Sequence, residues 1–96
     1  MYGAGRLEAR NIVEYEEATR AAALSGHGEF VDDLLDMAEV EWEHERFFRL
    51  AAASHPWWKW FPKWAPPPAR EEIRRSFARF LQEAARPTEA MVAIQA

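Results

Sequence analysis

The chain has 96 residues, a formal net charge of −4 and no cysteine. This length fits one small domain. The missing cysteine excludes disulfides, thiolate zinc sites and iron–sulfur clusters in this chain, and it fits a reducing cytoplasm. The net negative charge argues against a nucleic-acid binder, and no apolar run of about 20 residues could span a membrane. Good helix formers dominate and β-branched residues are few, so we expect an all-α fold.

The first predicted element is a helix from about Gly5 to Ser25. It ends where Gly26 and Gly28 offer a helix cap and a tight reversal of the chain. Its stripe of small or apolar residues begins at Glu8 and recurs at steps of three and four. The stripe comprises Ile12, Tyr15, Thr19 and Ala22.

The second predicted helix runs from about Glu29 to Ser54 and stops at His55-Pro56. One seam of this helix repeats at alternating steps of four and three, which predicts a core-facing surface. The seam consists of Phe30, Leu34, Met37, Glu41, His44 and Phe48. The loop between the two helices is short, so they should form an antiparallel hairpin.

Residues 55–68 contain four of the five tryptophans and are rich in proline, which predicts an irregular, extended connector. A third, amphipathic helix is predicted from about Ala69 to Ala85. Its apolar stripe is Ile73, Phe77, Phe80, Leu81 and Ala84. The sequence thus divides into a hairpin at 1–54, a connector at 55–68, and a helix with a tail at 69–96.

Glu41 and His44 form a Glu-x-x-His motif. Residues three apart share a helix face, so this carboxylate and imidazole can bind one metal ion or a metal pair. Glu8 lies opposite position 45 or so of the predicted hairpin and is the candidate third ligand, with Glu14 and Glu17 as alternatives. An unpaired buried carboxylate costs several kcal/mol, so acids in an apolar seam need a cation unless they are exposed.

Two carboxylates and one imidazole make half of a bundle di-iron site, which takes one Glu from each of two helices and a Glu-x-x-His from each of two more. Two hairpins related by a two-fold axis would therefore complete the site and hold two irons. A lone hairpin also buries too little apolar surface to be stable. Iron is favoured because oxygen ligands outnumber imidazoles, and manganese stays open.

Residues 8–48 resemble the first helical hairpin of rubrerythrins and the wider ferritin-like superfamily. The resemblance rests on residues 38–48 around Glu-x-x-His and, in the same ungapped register, on Glu8, Tyr15 and Gly26. It implies a half-length member that forms a four-helix bundle by homodimerisation. It also implies that the protein oxidises ferrous iron with dioxygen or peroxide, with Tyr15 as a catalytic residue beside the metals. The second hairpin of full-length members is missing, since residues 69–85 contain no histidine.

Other charged and aromatic residues receive simpler interpretations. Glu39, Glu43 and Glu45 are predicted to form a solvated face, His27 to lie in the turn, and His55 to end a helix. The connector tryptophans allow three readings: they cover the hairpin, dock a protein partner, or contact a membrane surface. The second would suit a non-enzymatic helical scaffold protein. The third would suit a membrane-associated di-iron hydroxylase of the quinone-modifying type. The tryptophans concerned are Trp57, Trp58, Trp60 and Trp64.

Overall fold

The computed structural model describes residues 2–57, 60 and 64–86, and throughout this part the chain is helical or irregular, as expected. Helix α1 spans Tyr2–Leu24, a 3-10 turn spans Gly28–Phe30, α2 spans Val31–Ser54 and α3 spans Arg70–Ala85. The helix ends lie close to their predicted positions. The predicted tail at 88–96 and Trp58 lie outside the described residues.

The reversal between α1 and α2 depends on Gly26. Its φ of +82° lies in the left-handed region, which glycine adopts at little cost. This conformation lets the His27 N–H donate to the Ala22 carbonyl at 2.8 Å, as in a Schellman cap. The glycine therefore ends α1 and turns the chain, and the predicted antiparallel hairpin forms.

The core of the molecule is small and joins all three helices. Its buried apolar residues are Ile12, Leu35, Ala38 and Ile73. Partly buried side chains surround this cluster, namely Tyr15, Val31, Trp42 and Phe77. Because Ile73 belongs to α3, the third helix contributes to the same core as the hairpin rather than standing apart.

The predicted seam of α2 is not the core of the single chain. The residues that α2 buries are Leu35, Ala38, Glu45 and Ala52, a stripe that starts one residue later. Phe30 and Met37, in the predicted seam, are 53% and 41% exposed. The physical reason is that α1 packs against the stripe containing the small, fully buried Ala38, which lets the helices approach closely.

Helix α3 lies on one side of the hairpin and leaves the seam open. Besides Ile73, it contributes Arg74, which binds Asp36 at 2.6 Å and Glu39 at 3.0 Å. At about 100° per residue, these acids lie roughly half a turn around α2 from the seam. The end of the predicted α3 stripe is not buried, since Leu81 is 44% exposed. One long side of the hairpin therefore has no helix over it among the described residues.

Candidate metal centre

The hairpin brings the three predicted ligands together. Glu8 comes from α1, whereas Glu41 and His44 come from α2, one helical turn apart. Each offers a ligand atom, and these atoms all lie within 4.8 Å of one another. His44 Nδ1 is 3.6 Å from Glu8 Oε2. The alternatives Glu14 and Glu17 are exposed and do not belong to this group.

The group combines buried carboxylate oxygens with an accessible imidazole. Oε2 of Glu8 and Oε2 of Glu41 are both buried and have no hydrogen-bond partner. The side chain of His44 is 53% exposed, against 18% for Glu8. Among the described residues no arginine or lysine pairs with Glu8 or Glu41. Leaving a buried charged acceptor unsatisfied is costly, so these oxygens, which meet no cation of the chain except His44 when it is protonated, fit a bound metal ion.

The chemistry of the donor set points to a divalent transition metal. Carboxylates and imidazole together suit iron, manganese and zinc, whereas calcium and magnesium prefer oxygen ligands alone. One chain offers three ligand residues, half of the set in a bundle di-iron site. The residues present therefore fit half of such a site.

Glu45 corrects one prediction and was missed as a residue of interest. It was expected on a solvated face, yet its side chain is completely buried. Its Oε1 accepts hydrogen bonds from Arg49 Nε at 2.7 Å and from Trp64 Nε1 at 3.1 Å. Its Oε2 is buried without a partner. The position of Glu45 one residue outside the seam gave no sign that the connector would cover it.

The prediction of a solvated face was also wrong for Glu39, but it is confirmed for Glu43. The Glu39 side chain is only 16% exposed and is paired with Arg74 and Arg70, whereas Glu43 is 51% exposed. Glu39 is partly buried because Arg70 and Arg74 of α3 lie over it. Helical periodicity along α2 could not show where α3 would pack.

Tyr15 lies apart from the three ligands. It is partly buried and packs against the core cluster. It stands seven residues after Glu8, about 10 Å along the helix axis. In the described part of the chain its hydroxyl makes no hydrogen bond to the ligand residues. Its proposed catalytic role therefore rests on the resemblance.

The other two histidines lie at chain reversals, as predicted. His27 precedes the 3-10 turn, and its Nδ1 is 3.6 Å from the exposed Glu29. His55 follows the last residue of α2, and its Nδ1 accepts a hydrogen bond from the Trp57 N–H. Neither belongs to the group formed by Glu8, Glu41 and His44.

The connector is attached to α2 at two points beside the ligands. Trp64 binds Glu45, the residue after His44. Trp42, the residue after Glu41, donates from Nε1 to the Pro68 carbonyl at 2.8 Å. Trp57 and Trp60 are 67% and 74% exposed. The connector therefore covers the hairpin through Trp64 and presents two other tryptophans to solvent.

A separate cavity of about 220 Å³ lies on the α3 side of the hairpin. Its lining includes Ile12, Trp42 and Ile73 and the acidic Glu16. Burial raises the pKa of Glu16, although nearby Arg20 opposes the shift. The cavity is smaller than most ligand pockets, which run from about 300 to 1,000 Å³.

Comparison with known proteins adds no relative. No family model, no curated protein and no solved structure matches this chain. Within the described residues, no helix has a stretch both long and apolar enough to cross a membrane.

Proposed function

We propose that this protein is a ferritin-like di-iron carboxylate protein that oxidises ferrous iron with dioxygen or peroxide at a site shared by two copies. The observation that carries this proposal is the group formed by Glu8, Glu41 and His44. Its ligand atoms lie within 4.8 Å of one another, and two of its carboxylate oxygens are buried without partners. The sequence resemblance to the ferritin-like superfamily supports the same reading.

The three residues have different tasks in this proposal. Glu8 and Glu41 supply negative charge, which favours the ferric over the ferrous state of bound iron. His44 contributes a neutral nitrogen ligand from the accessible side of the group. Bound iron would supply the redox chemistry, passing electrons to dioxygen or peroxide. Manganese is the second choice of metal for this donor set.

The open side of the hairpin supports a shared site. The predicted seam runs along α2 past Glu41 and His44, and α3 packs on the far side. Near the hairpin turn the same side has an open, apolar hollow of about 360 Å³ lined by Phe30, Leu34 and Met37 among others. A second copy packed on this side would cover the seam. It would also bring the site to four glutamates and two histidines.

The proposal is tested by metal binding and by mass in solution. Anaerobic titration should show about one ferrous ion per chain, bound by a dimer or a larger assembly of copies. Glu41→Ala and His44→Ala should abolish binding while helicity by circular dichroism stays largely unchanged. His27→Ala is the matched control, because His27 also lies 3.6 Å from a glutamate but does not belong to the ligand group.

Three results would contradict the proposal in different ways. If the wild-type protein binds neither iron nor manganese, and neither metal changes its melting temperature, the metal centre is refuted. A protein that stays strictly monomeric with metal present would remove the shared site. Equal metal content in the wild type, Glu41→Ala and His44→Ala would refute the ligand assignment.

A second candidate function is a non-enzymatic helical binding protein. The exposure of Trp57 and Trp60 favours it, because exposed tryptophans are common at protein interfaces. In that case changing both to alanine would abolish partner binding, and changes at Glu41 and His44 would have no effect. Metal analysis of the purified protein separates the two functions.

A further inference from the structure

Glu45 has an unusual environment for a carboxylate. Its side chain is fully buried, and it is one of the two largest fully buried side chains in the described part of the protein. One oxygen is well satisfied by Arg49 and Trp64, but Oε2 is buried with no hydrogen-bond partner. Leaving a buried acceptor unsatisfied is costly, and more so when the acceptor is charged. This free oxygen therefore requires a physical explanation.

The position of Glu45 supplies one. It follows His44 directly and stands four residues after Glu41, so the Glu41 and Glu45 side chains are neighbours on the helix, with Cβ atoms about 5–6 Å apart. Within the described residues, the buried carboxylate oxygens without partners belong to Glu8, Glu41 and Glu45. Two of these three acids are the proposed ligands. Glu45 is not in the group whose ligand atoms lie within 4.8 Å of one another, so it is not counted among the direct ligands.

We propose that Glu45 is a positioning residue of the metal centre: its charge and free oxygen would favour a metal ion held by the ligand group, and its other oxygen links the centre to Trp64. This inference rests on the proposed metal site and adds a residue to it. Residues behind the direct ligands orient them and add charge, and their loss typically weakens metal binding about 10–100-fold. Because of the link to Trp64, metal binding at α2 should change the environment of the Trp64 indole in the connector.

The first arm of the test measures Mn²⁺ affinity by calorimetry. Glu45→Gln keeps the shape and one acceptor for Arg49 and Trp64 but removes the charge, and we expect it to weaken Mn²⁺ binding about tenfold or more. Glu43→Gln is the matched control, because it removes the same charge one residue before His44 from an exposed side chain. It should change the affinity less than about threefold.

The second arm measures a signal that a purely structural role would not change. Zinc, which is diamagnetic, is added to ¹⁵N-labelled protein, and the indole N–H resonance of Trp64 is followed, assigned through Trp64→Phe. Saturating zinc should shift this resonance in the wild type and in Glu43→Gln. In His44→Ala, which lacks a ligand, the shift should be absent. This arm needs no Glu45 variant, so it tests the link even if Glu45→Gln does not fold.

The outcomes separate this inference from the proposed function. If the wild type binds Mn²⁺ and His44→Ala does not, but Glu45→Gln binds like the wild type, the role of Glu45 is refuted and the metal centre stands. A Trp64 resonance that ignores saturating zinc in the wild type refutes the link to the connector. A wild type that binds neither metal removes the metal centre and the role of Glu45 together.

Discussion

The hairpin carries two sets of acidic residues, on opposite sides, and they differ in what neutralises them. On the side covered by α3, Asp36 and Glu39 pair with Arg74, and Glu43 pairs with Arg70. On the open side, Glu8 and Glu41 have buried oxygens without hydrogen-bond partners, and no arginine of the described residues pairs with either. The same helix α2 therefore presents acids that the chain neutralises itself and an acid that it does not.

This difference separates structural acids from candidate metal ligands. A carboxylate that meets an arginine within the chain holds α3 in place, and hydrogen bonding to Glu39 raises the pKa of Arg74 accordingly. A carboxylate that is partly buried without a cation destabilises the fold until a positive charge arrives from outside. The two sides should thus respond in opposite directions when their charges are removed.

The largest expected effect on stability comes from Arg74, which joins α3 to the acids of α2. Arg74→Met keeps the aliphatic stem but removes the pairs with Asp36 and Glu39. We expect it to lower the free energy of unfolding by about 1–2 kcal/mol, since networks exceed single exposed pairs, which give about 0–1 kcal/mol. Urea denaturation followed by circular dichroism measures this loss.

Arg75→Met is the control for that experiment. Arg75 is 66% exposed and lies 3.8 Å from Glu72 on its own helix. It should change the free energy of unfolding by less than about 0.5 kcal/mol. If both variants lowered the free energy of unfolding equally, pairing between α3 and α2 would not stabilise the protein. High salt should reduce the difference between the two variants, because screening weakens exposed ion pairs.

Removal of the charge should destabilise the protein at Glu39 and stabilise it at Glu41. Glu39→Gln loses its charged hydrogen bonds to Arg74 and should destabilise the protein by about 1 kcal/mol. Glu41→Gln removes a partly buried charge that no arginine neutralises, and in metal-free protein it should stabilise the fold by up to about 1 kcal/mol. Thermal melts in the presence of a chelator compare both variants with the wild type.

Added metal extends the same comparison. Mn²⁺ should raise the melting temperature of the wild type and of Glu39→Gln, because it binds the folded form alone. Glu41→Gln should lose this response. If Glu41→Gln destabilises the metal-free protein as much as Glu39→Gln does, the two acids have the same structural role and the distinction fails.

Sequence reasoning located the hairpin because its signals are local. The glycines at 26 and 28, the proline at 56 and the period of the apolar residues mark helix ends directly. The grouping of Glu8 with Glu41 and His44 also follows from local rules, since a short loop fixes which residues of two antiparallel helices face each other. These features needed no knowledge of how the rest of the chain packs.

The features that the sequence did not reveal depend on contacts between distant segments. Glu45 lies in the buried stripe of α2, where Trp64 of the connector also reaches it, and Glu39 is partly buried because Arg74 and Arg70 of α3 meet it. An irregular connector has no period from which its path can be read. The one-residue shift of the buried stripe on α2 has a similar cause, because Ala38 and its neighbours allow closer packing than the larger seam residues.

The smallest predicted change in the free energy of unfolding concerns Glu16. It lies on the α3 side and near Arg20, yet it makes no ion pair or hydrogen bond in the described part of the chain, because Arg20 Nη2 donates to Ser76. Burial in the cavity raises the pKa of Glu16 above its ordinary value of 4.5. A carboxyl whose pKa is raised in the fold prefers to be protonated there, so its charged form weakens the fold at neutral pH.

Glu16→Gln should therefore stabilise the protein at pH 7, by less than about 1 kcal/mol because solvent still screens the group. The gain should shrink as the pH falls through the raised pKa and vanish below 4.5, where the wild-type carboxyl is protonated in both states. Glu17→Gln makes the same charge change at an exposed neighbour and should show no such gain. Urea denaturation at pH 7 and at low pH measures both. A gain from Glu16→Gln that persists at low pH would mean that the lost charge is not its cause.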